Sequence, residues 1–169
     1  MVIIGYIAAG IVLLFGFVTF RGAPYLPSKK KQLKQAFDGL YALGKSDTLV
    51  DIGSGDGIVL RTARQYGAKA IGYELNPLLV LITRLMSWKD KKLSVRLADF
   101  WRVQLPHETT LVYVFPVERD QKKLTRKLEA EATRLGRSLM VLVYAHRLIG
   151  HEPEKQLGAY SLYRIQPLQ

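Results

Sequence analysis

The sequence predicts an α/β protein in which helices cover both faces of a doubly wound, mostly parallel sheet. Three observations support this fold class. Short apolar runs alternate with longer segments of helical periodicity. A glycine-rich turn follows the first apolar run, and the second apolar run ends at an acidic residue. Such an alternation is typical of parallel sheets, because each parallel connection needs a crossover on one face of the sheet.

The predicted elements follow one another in a regular order. An amphipathic helix carries apolar residues at positions 33, 36, 37, 40 and 41 and is expected to end at Gly44. Six strands are predicted, over residues 48–52, 69–73, 93–97, 110–115, 138–145 and 160–165. Further helices are predicted over residues 58–66, 78–88 and 118–135. About 14 residues separate the last two strands, which is too few for a helical crossover, so the sixth strand is expected to be antiparallel.

Composition narrows the possible functions. The chain has 169 residues, of which 49% are hydrophobic, and this is enough for one domain with a real core. It contains no cysteine, which excludes disulfides, thiolate metal sites and a cysteine nucleophile and suits a reducing compartment. The net charge of +11 suits an anionic partner, either nucleic acid or an acidic lipid surface. His107, His146 and His151 are not paired at a metal-ligand spacing, and no metal site is predicted.

An uncharged segment opens the chain. Val2–Phe20 contains 19 residues without a charge and, as a helix, would span about 28 Å, close to the thickness of a bilayer core. A secretory signal peptide is the rival interpretation, but the basic leading region and the small-residue cleavage site are missing. We therefore expect a transmembrane anchor at 1–21, a linker and N-terminal helix at 22–46, and the main domain at 47–169.

The charges after this segment predict its orientation. Arg21 and Lys29–Lys31 all follow the apolar run, and positive residues favour the cytoplasmic side. A single-pass protein with its main domain in the cytoplasm is expected. The membrane would be the plasma membrane in a bacterium or archaeon and a mitochondrial membrane in a eukaryote.

A glycine-rich turn is the most informative part of the chain. Gly53, Gly55 and Gly57 follow the first strand, and Asp51 stands just before them. Glycines let the backbone approach a bound ligand closely. The second strand ends at Glu74, whose carboxylate can accept hydrogen bonds from both hydroxyls of a ribose. These features together predict a site for a nucleoside-bearing cofactor.

The spacing and charge of the turn favour one kind of nucleoside. A dinucleotide fold uses Gly-x-Gly-x-x-Gly, but here Ile58 stands where the third glycine would be. Asp51 and Asp56 would repel a pyrophosphate, whereas they suit a ligand that carries an ammonium and a sulfonium. S-adenosyl-L-methionine is such a ligand. The simpler alternative is a tight turn between strand and helix in which an aspartate only caps the helix.

Several motifs resemble those of a known family. They are Pro24–Ser28, Val50–Gly57, the Gly-Tyr-Glu-Leu-Asn-Pro run at 72–77, and Asp-Phe-Trp-Arg at 99–102. In this order they resemble the class I S-adenosylmethionine-dependent methyltransferases, which have a Rossmann-like sheet. The chain is most similar to the membrane-anchored protein lysine N-methyltransferases, whose animal members modify the ATP synthase c-subunit and the adenine nucleotide translocase.

The resemblance implies roles for individual residues. Asp51, Gly53 and Gly55, with Gly57 beside them, would line the methionine end of the cofactor, and Glu74 would hold the ribose. Asn76 is included in the predicted cofactor site, although the pair Asn76-Pro77 is also typical of the capped start of a helix. Asp99 would accept from the adenine amino group, and Phe100 would lie against the ring. The alternatives are a turn-forming role for Asp99 and a core position for Phe100.

The resemblance leaves the group that receives the target amine unassigned. Many amino methyltransferases place Asn or Asp, followed by two prolines and an aromatic residue, after the fourth strand. The corresponding run here is Val114–Glu118, without the leading Asn or Asp, which argues against adenine or glutamine as the target. Glu118 and Tyr113 are candidates for the catalytic acceptor, although Glu118 also suits the first turn of a helix.

The predicted function is a membrane-tethered methyltransferase that acts on a lysine of a protein, expected to be a membrane protein. The lack of cysteine argues against pyrimidine C5 methylation, which uses a thiol. A methyltransferase acting on RNA remains an alternative because of the positive charge, and one acting on a lipid amine because of the anchor. A scaffold protein that keeps only the cofactor pocket is the non-enzymatic alternative. The sequence makes nucleic acid a less favoured partner than protein and membrane.

Overall fold

A seven-stranded sheet forms the centre of the computed structural model, which describes Gly5 and residues 30–168. The strands are β1 (Thr48–Ile52), β2 (Lys69–Glu74), β3 (Leu93–Leu97), β4 (Leu111–Val114), β5 (Leu139–Tyr144), β6 (Lys155–Leu157) and β7 (Tyr160–Ile165). Their order in the sheet is β3-β2-β1-β4-β5-β7-β6. β1 to β5 are parallel, which confirms the predicted doubly wound arrangement.

The last strands correct the predicted strand count. β7 runs antiparallel to β5, as expected from the short connection between them. A seventh strand, β6, pairs with β7 and was not predicted. It has only three residues, all exposed, so it shows neither the apolar run nor the alternation that marks a strand in a sequence.

Four α-helices accompany the strands in the described residues. They are α1 (Lys30–Ala36), α2 (Ile58–Gln65), α3 (Pro77–Met86) and α4 (Gln121–Leu135). α1 continues into a π-helical turn, Phe37–Tyr41, which ends at Ala42 in a left-handed conformation with φ of 53°. The helix therefore ends before Gly44, contrary to the prediction. Gly44 instead donates its amide to the Asp47 carboxylate, at 2.8 Å.

The sheet is buried on both faces. On one face Leu49, Leu111 and Leu142 pack with residues of α1 and α2. On the other face Val50 and Val112, with other strand residues, pack against the apolar side of α4. Because successive side chains of a strand point to opposite faces, strands buried on both sides read as nearly continuous apolar runs. This is why the central strands could be predicted accurately.

The carboxyl ends of the parallel strands lie at one edge of the sheet. Ile52 at the end of β1 pairs with Tyr73 on one side and Val114 on the other, and Val114 pairs with Val143. The loops that follow these strands therefore meet at this edge. In doubly wound sheets ligands bind at that edge, where neighbouring connections leave in opposite directions.

The predicted anchor Val2–Phe20 lies outside the described residues, except for Gly5, and so does the connector Pro24–Ser28. Among the residues that the structure describes, no helix combines the length and the apolar character needed to cross a bilayer.

Candidate active site

Glu74 holds the glycine turn in place. One oxygen of its carboxylate accepts the amide of Gly55 at 2.8 Å, and the other accepts the amide of Asn76 at 2.8 Å. The side chain is buried, with 8% of the residue exposed. Each carboxylate oxygen has two lone pairs, so both oxygens keep acceptor capacity for a ligand. The structure thus places Glu74 beside the turn, and its contact with a ribose stays a prediction.

The backbone of the turn is also tied to β2. The amides of Gly53 and Ser54 both donate to the carbonyl of Tyr73, at 2.9 and 3.1 Å. Gly53 has φ of 75°, a conformation that favours glycine. A Cβ built on Gly53 would meet no atom within 4 Å, so its outer side is open to a ligand.

Gly57 is required for packing within the protein. It has φ of 78° and starts α2, and a Cβ at this position would lie 2.5 Å from Cγ2 of Thr83. The hydroxyl of Thr83 donates to the carbonyl of Gly55 at 3.1 Å. α3 therefore packs directly on the glycine turn. The predicted contact of Gly57 with a cofactor is not tested by these contacts.

Asp51 brings a buried carboxylate to the carboxyl end of β1. Only 2% of the residue is exposed. Burial, together with the nearby carboxylates of Glu74 and Asp56, raises the pKa of Asp51 well above its ordinary value. Three acids gathered around one turn favour a cationic ligand and disfavour a diphosphate. This electrostatic environment is the one expected from the sequence.

Asp56 has partners in the helix that follows it. Its carboxylate accepts the amide of Ile58 at 3.1 Å and lies 3.4 Å from the guanidinium of Arg61. Arg61 also donates to the carbonyl of Asp56. Asp56 thus accepts the first amide of α2 from a position just before the helix, whereas Asp51 lies in the preceding strand.

Asn76 caps α3, as Asn76-Pro77 predicts. Its side-chain oxygen accepts the amides of Leu78 and Leu79 at 3.0 and 3.5 Å, and only 1% of the residue is exposed. The cap orients the start of α3 toward the edge where Glu74 lies. A direct contact of Asn76 with a cofactor stays a prediction.

Asp99 and Phe100 follow β3 at the same edge. The Asp99 carboxylate accepts the amide of Trp101 at 3.1 Å and caps the short 3₁₀ helix Phe100–Arg102. Phe100 is 6% exposed and packs against Tyr73, with 6.5 Å between ring centroids. The turn-forming and core roles are thus both present. Their predicted contacts with adenine stay predictions.

The two candidate amine acceptors occupy different environments. Glu118 is exposed at the start of the 3₁₀ helix Glu118–Asp120. Tyr113 is buried in β4 and pairs directly with Asp51 of β1, so both side chains point to the same face of the sheet. Of the two, Tyr113 is the residue that the fold places on the face of Asp51.

An aromatic cluster beside Tyr113 was not predicted as part of the site. We use this name for Phe115, Tyr144, His146 and Tyr160. The Phe115 ring lies 5.0 Å from that of Tyr144 and 6.3 Å from that of His146, and the Tyr144 ring lies 4.8 Å from that of Tyr160. Burial raises the pKa of Tyr160 to about 12. The available signal was an aromatic residue at the end of each of three strands, but their adjacency depends on the strand order.

Comparison with known proteins identifies the domain type. The model of the family described as "ANTKMT methyltransferase domain" matches residues 51–156. That range begins at Asp51 and includes the glycine turn, Glu74, Asp99 and most of the aromatic cluster.

Two relatives have similar sequences. The chain is 34% identical over 111 residues to the human lysine N-methyltransferase of the ATP synthase c-subunit, and the match covers 64% of this chain and 46% of the relative. It is 35% identical over 112 residues to the mouse adenine nucleotide translocase lysine N-methyltransferase, covering 64% of this chain and 48% of the relative. The chain thus spans about half the length of the curated relatives that it matches.

Solved structures share the fold. An RNA methyltransferase from Salinibacter ruber, solved with S-adenosyl-L-homocysteine, superposes with a TM-score of 0.72 at 25% identity, over 85% of this chain and 95% of that one. The 23S rRNA methyltransferase ErmE superposes with a TM-score of 0.57 at 16% identity, over 72% of this chain and 48% of that one. The second likeness concerns the fold alone.

Proposed function

This chain belongs to the family of ANTKMT methyltransferase domains, and we propose on that basis that it transfers a methyl group to the side-chain amine of a protein lysine. The observation that carries the proposal is the family match over residues 51–156, which contains the carboxylate-lined glycine turn. The two relatives named above both carry lysine N-methyltransferase in their descriptions. Their shared activity supports a lysine target for this chain.

The cofactor is S-adenosyl-L-methionine, and the residues at the turn fit it. Gly53 has an open side, and the pKa of the Asp51 carboxylate is raised by its burial and by the acids near it. Such a carboxylate gains most from a positively charged ligand. Asp51 and Gly53 would hold the cationic methionine end, and Glu74 would accept from the ribose hydroxyls. When bound, the cofactor supplies a methyl group on an electrophilic sulfonium.

The protein contributes position and a dry environment to this chemistry. A lysine amine has an ordinary pKa near 10.4, so its deprotonation at neutral pH costs about 4–5 kcal/mol. Desolvation of the ammonium in a pocket lowers this cost. Tyr113, Tyr144 and Tyr160 line the face of the sheet next to Asp51 with ring carbon. These residues exclude water and align the amine with the methyl group.

We further propose that the enzyme is tethered to a membrane by Val2–Phe20 and methylates a membrane protein. The uncharged length of that segment supports the tether. Tethering raises the effective concentration of targets in the same bilayer. The basic residues after the segment support a catalytic domain on the cytoplasmic side. The plasma membrane of a prokaryote or a mitochondrial membrane would be the location.

Labelling of whole membranes tests the proposed target. Membranes that contain the protein are incubated with methyl-labelled cofactor, and proteins, lipids and RNA are then separated. We expect the label on lysine of a membrane protein, mapped by digestion and mass spectrometry. The Glu74→Ala protein serves as the control for cofactor-dependent labelling. Label confined to the lipid fraction or to RNA would contradict a lysine target.

RNA is a second candidate substrate. The structure superposes on the RNA methyltransferase from Salinibacter ruber with a TM-score of 0.72, over 95% of that chain. The net charge of +11 also suits an RNA substrate. A basic protein binds phosphate backbones with an affinity that falls as salt rises. Nuclease treatment distinguishes the two substrates. If the label becomes soluble after ribonuclease and resists protease, RNA is the substrate.

A further inference from the structure

We propose that Phe115, Tyr144 and His146 form an aromatic wall that receives the target amine and stabilises positive charge on its nitrogen. This inference rests on the proposed function and adds to it the site that recognises the amine. The Val114–Glu118 run leaves this site open, because it lacks an amide or acid at the usual position. The aromatic wall would take over the recognition.

The three rings are arranged as a partial cage. The Phe115 and Tyr144 rings are nearly perpendicular, at 80°, with centroids 5.0 Å apart. The His146 ring stacks on Phe115 at an angle of 28°, with centroids 6.3 Å apart. All three residues are half-buried, so each keeps an accessible surface. Perpendicular aromatic faces with an open side are the arrangement that holds alkylated ammonium groups.

Strand register places this wall beside the predicted cofactor site. One row of paired residues crosses the sheet at the end of the strands and comprises Ile52, Val114 and Val143. Neighbouring strands lie about 4.8 Å apart. Gly53, Phe115 and Tyr144 each follow directly after a member of this row. The wall is therefore within about 5–10 Å of the glycine turn, a spacing of one or two strands, which is close enough for a methyl donor and its acceptor to meet.

A strained turn brings His146 into the wall. Ala145 has φ of 67°, a left-handed conformation that is uncommon for alanine, and it is exposed. The amide of His146 donates to the carbonyl of Tyr144 at 2.9 Å, which closes a tight three-residue turn. A bond from the Ala145 amide to the carbonyl of Ala159, at 2.8 Å, holds the turn. Strain of this kind often occurs at functional sites.

The chemistry of methyl transfer gives such a wall a catalytic use. The ammonium would first release its proton to solvent. The lone pair of the neutral amine nitrogen would then form a bond to the methyl carbon while the carbon–sulfur bond breaks, and the electron pair of that bond would stay on sulfur. Positive charge thus moves onto the nitrogen. Aromatic faces around that nitrogen are attracted to this charge more strongly as the reaction proceeds, so they stabilise the transition state more than the neutral amine.

Binding of two small ligands to the full chain tests the wall without reliance on activity. The probes are the amide of acetyl-trimethyllysine and its neutral analogue, in which a carbon replaces the ammonium nitrogen. Both are titrated by NMR into protein saturated with S-adenosylhomocysteine. We expect about 3- to 30-fold tighter binding of the charged probe. Phe115→Leu and Tyr144→Leu should each abolish most of this preference, and His146→Leu should reduce it.

A matched control is available at the far end of α2. Tyr66 is also half-buried and packs on Phe37 at 5.7 Å, away from the site. Tyr66→Leu should keep the preference for the charged probe. If both probes bind equally, or if all three wall variants keep the preference, the wall is not the amine site. If the preference holds but labelling occurs only on RNA, the lysine target fails while the cation site stands.

We also infer that the outer surface of α3 and the turn after it contact an anionic bilayer. Large apolar side chains are exposed there: Leu81 at 52%, Leu85 at 64%, Met86 at 58% and Trp88 at 76%. Leu81 and Leu85 are four residues apart and share one side of the helix. Apolar side chains that are exposed singly are ordinary, but their concentration in one short segment is typical of a contact site.

The charges around this surface indicate its partner. Arg84, Lys89, Lys91 and Lys92 are all exposed, and the single acid among them, Asp90, is bonded to Arg64 at 2.8 Å. The Lys89 ammonium lies 4.9 Å from the Trp88 ring. Leucine and tryptophan bordered by lysine are characteristic of segments that lie on anionic membranes. This contact would be separate from any anchor and would be made by the folded domain itself.

Fluorescence of Trp88 in the full chain tests this contact. Trp101→Phe leaves Trp88 as the remaining tryptophan, and Trp88→Phe leaves Trp101. Each protein is reconstituted in vesicles of phosphatidylcholine and phosphatidylglycerol, with or without lipid brominated near the headgroup. We expect strong quenching of Trp88 and weak quenching of Trp101, and less quenching of Trp88 after Lys89, Lys91 and Lys92 are changed to Gln. Emission of Trp88 that does not respond to bromine, or that depends only on protein concentration, would overturn the inference.

Discussion

The Glu74 carboxylate accepts the Gly55 amide at 2.8 Å, across 19 positions of sequence. This bond joins the end of β2 to the turn after β1. It means that the acid predicted to hold a ribose also sets the shape of the loop that surrounds the ligand. A change at Glu74 should therefore affect both the loop and the ligand contact.

Glu74→Gln is expected to weaken cofactor binding without unfolding the protein. Glutamine keeps the size of the side chain but replaces one acceptor oxygen with a donor, which cannot accept the Gly55 or Asn76 amide. Loss of a hydrogen bond to a charged group costs about 1.5–3 kcal/mol, or about 10- to 100-fold in Kd. Calorimetric titration with S-adenosylhomocysteine measures the effect. Glu108→Gln, at an exposed ion pair with Lys69, is the control and should leave the Kd unchanged.

Asp51→Asn is expected to stabilise the ligand-free protein and to weaken its binding of the cationic cofactor. The native state binds the Asp51 proton more tightly than the unfolded state does, because burial and neighbouring acids raise its pKa. Asp51 therefore begins to destabilise the folded protein when the pH exceeds the ordinary aspartate pKa. This cost grows as the pH rises toward the raised pKa of the folded state. We expect a gain of about 1–3 kcal/mol at pH 7, which shrinks toward pH 4.

Thermal unfolding between pH 4 and pH 8 measures this difference. The gain should be smallest at the acidic end of the range. Equal stability of both proteins at every pH would contradict the environment described for Asp51. Binding of S-adenosylmethionine should suffer more than that of its neutral thioether product, since only the former carries the sulfonium charge.

Gly72→Ala should displace the glycine turn. A Cβ at Gly72 would lie 2.5 Å from the hydroxyl oxygen of Ser54 and 2.7 Å from Cδ1 of Leu60. Both neighbours are buried, so the added methyl group forces them to move, at a cost of about 1–3 kcal/mol. We expect lower stability in urea and a raised Kd for the cofactor. Gly39→Ala is the control, because a Cβ at Gly39 would lie at an ordinary distance of 3.4 Å from Cδ2 of Leu157. This variant should change neither the stability nor the Kd by much.

Glu131→Gln tests the ion-pair network that Glu131 of α4 forms with Lys127 and Arg134. The Glu131 carboxylate is buried and accepts from Lys127 at 2.7 Å, from Arg134 at 2.6 Å and from the amide of Leu105 at 3.0 Å. Burial alone would raise its pKa, but these bonds lower the pKa below the ordinary value of 4.5. The Glu131 carboxylate therefore contributes its full share of folding stability above pH 4.5, and this contribution is lost as the pH falls through the lowered pKa.

The expected loss of stability for Glu131→Gln is about 2–3 kcal/mol at pH 7. It is smaller than for a fully buried pair, because the Lys127 and Arg134 side chains are 19% and 25% exposed. Urea unfolding at pH 7 and at pH 3 measures it, and the difference between the two proteins should become smaller at pH 3. Thr133→Ser, on the exposed part of α4, is a control that should stay close to the original protein.

The sequence determined the parts of this protein that depend on neighbours along the chain. Hydrophobic runs predicted the parallel strands, the short interval before Tyr160 predicted an antiparallel partner, and the motifs around Gly53 and Glu74 predicted a cofactor turn. Each of these signals is local, because strand burial, turn geometry and helix capping act over a few residues.

Only the tertiary structure decided which distant residues meet. It placed Tyr113 beside Asp51, brought Phe115 next to Tyr144, and added the short strand β6. These relations depend on strand order and register, which join segments far apart in the sequence. A side chain at a strand end has the same local signature whether it closes a core or borders a site, and its neighbours on adjacent strands determine which of the two it does.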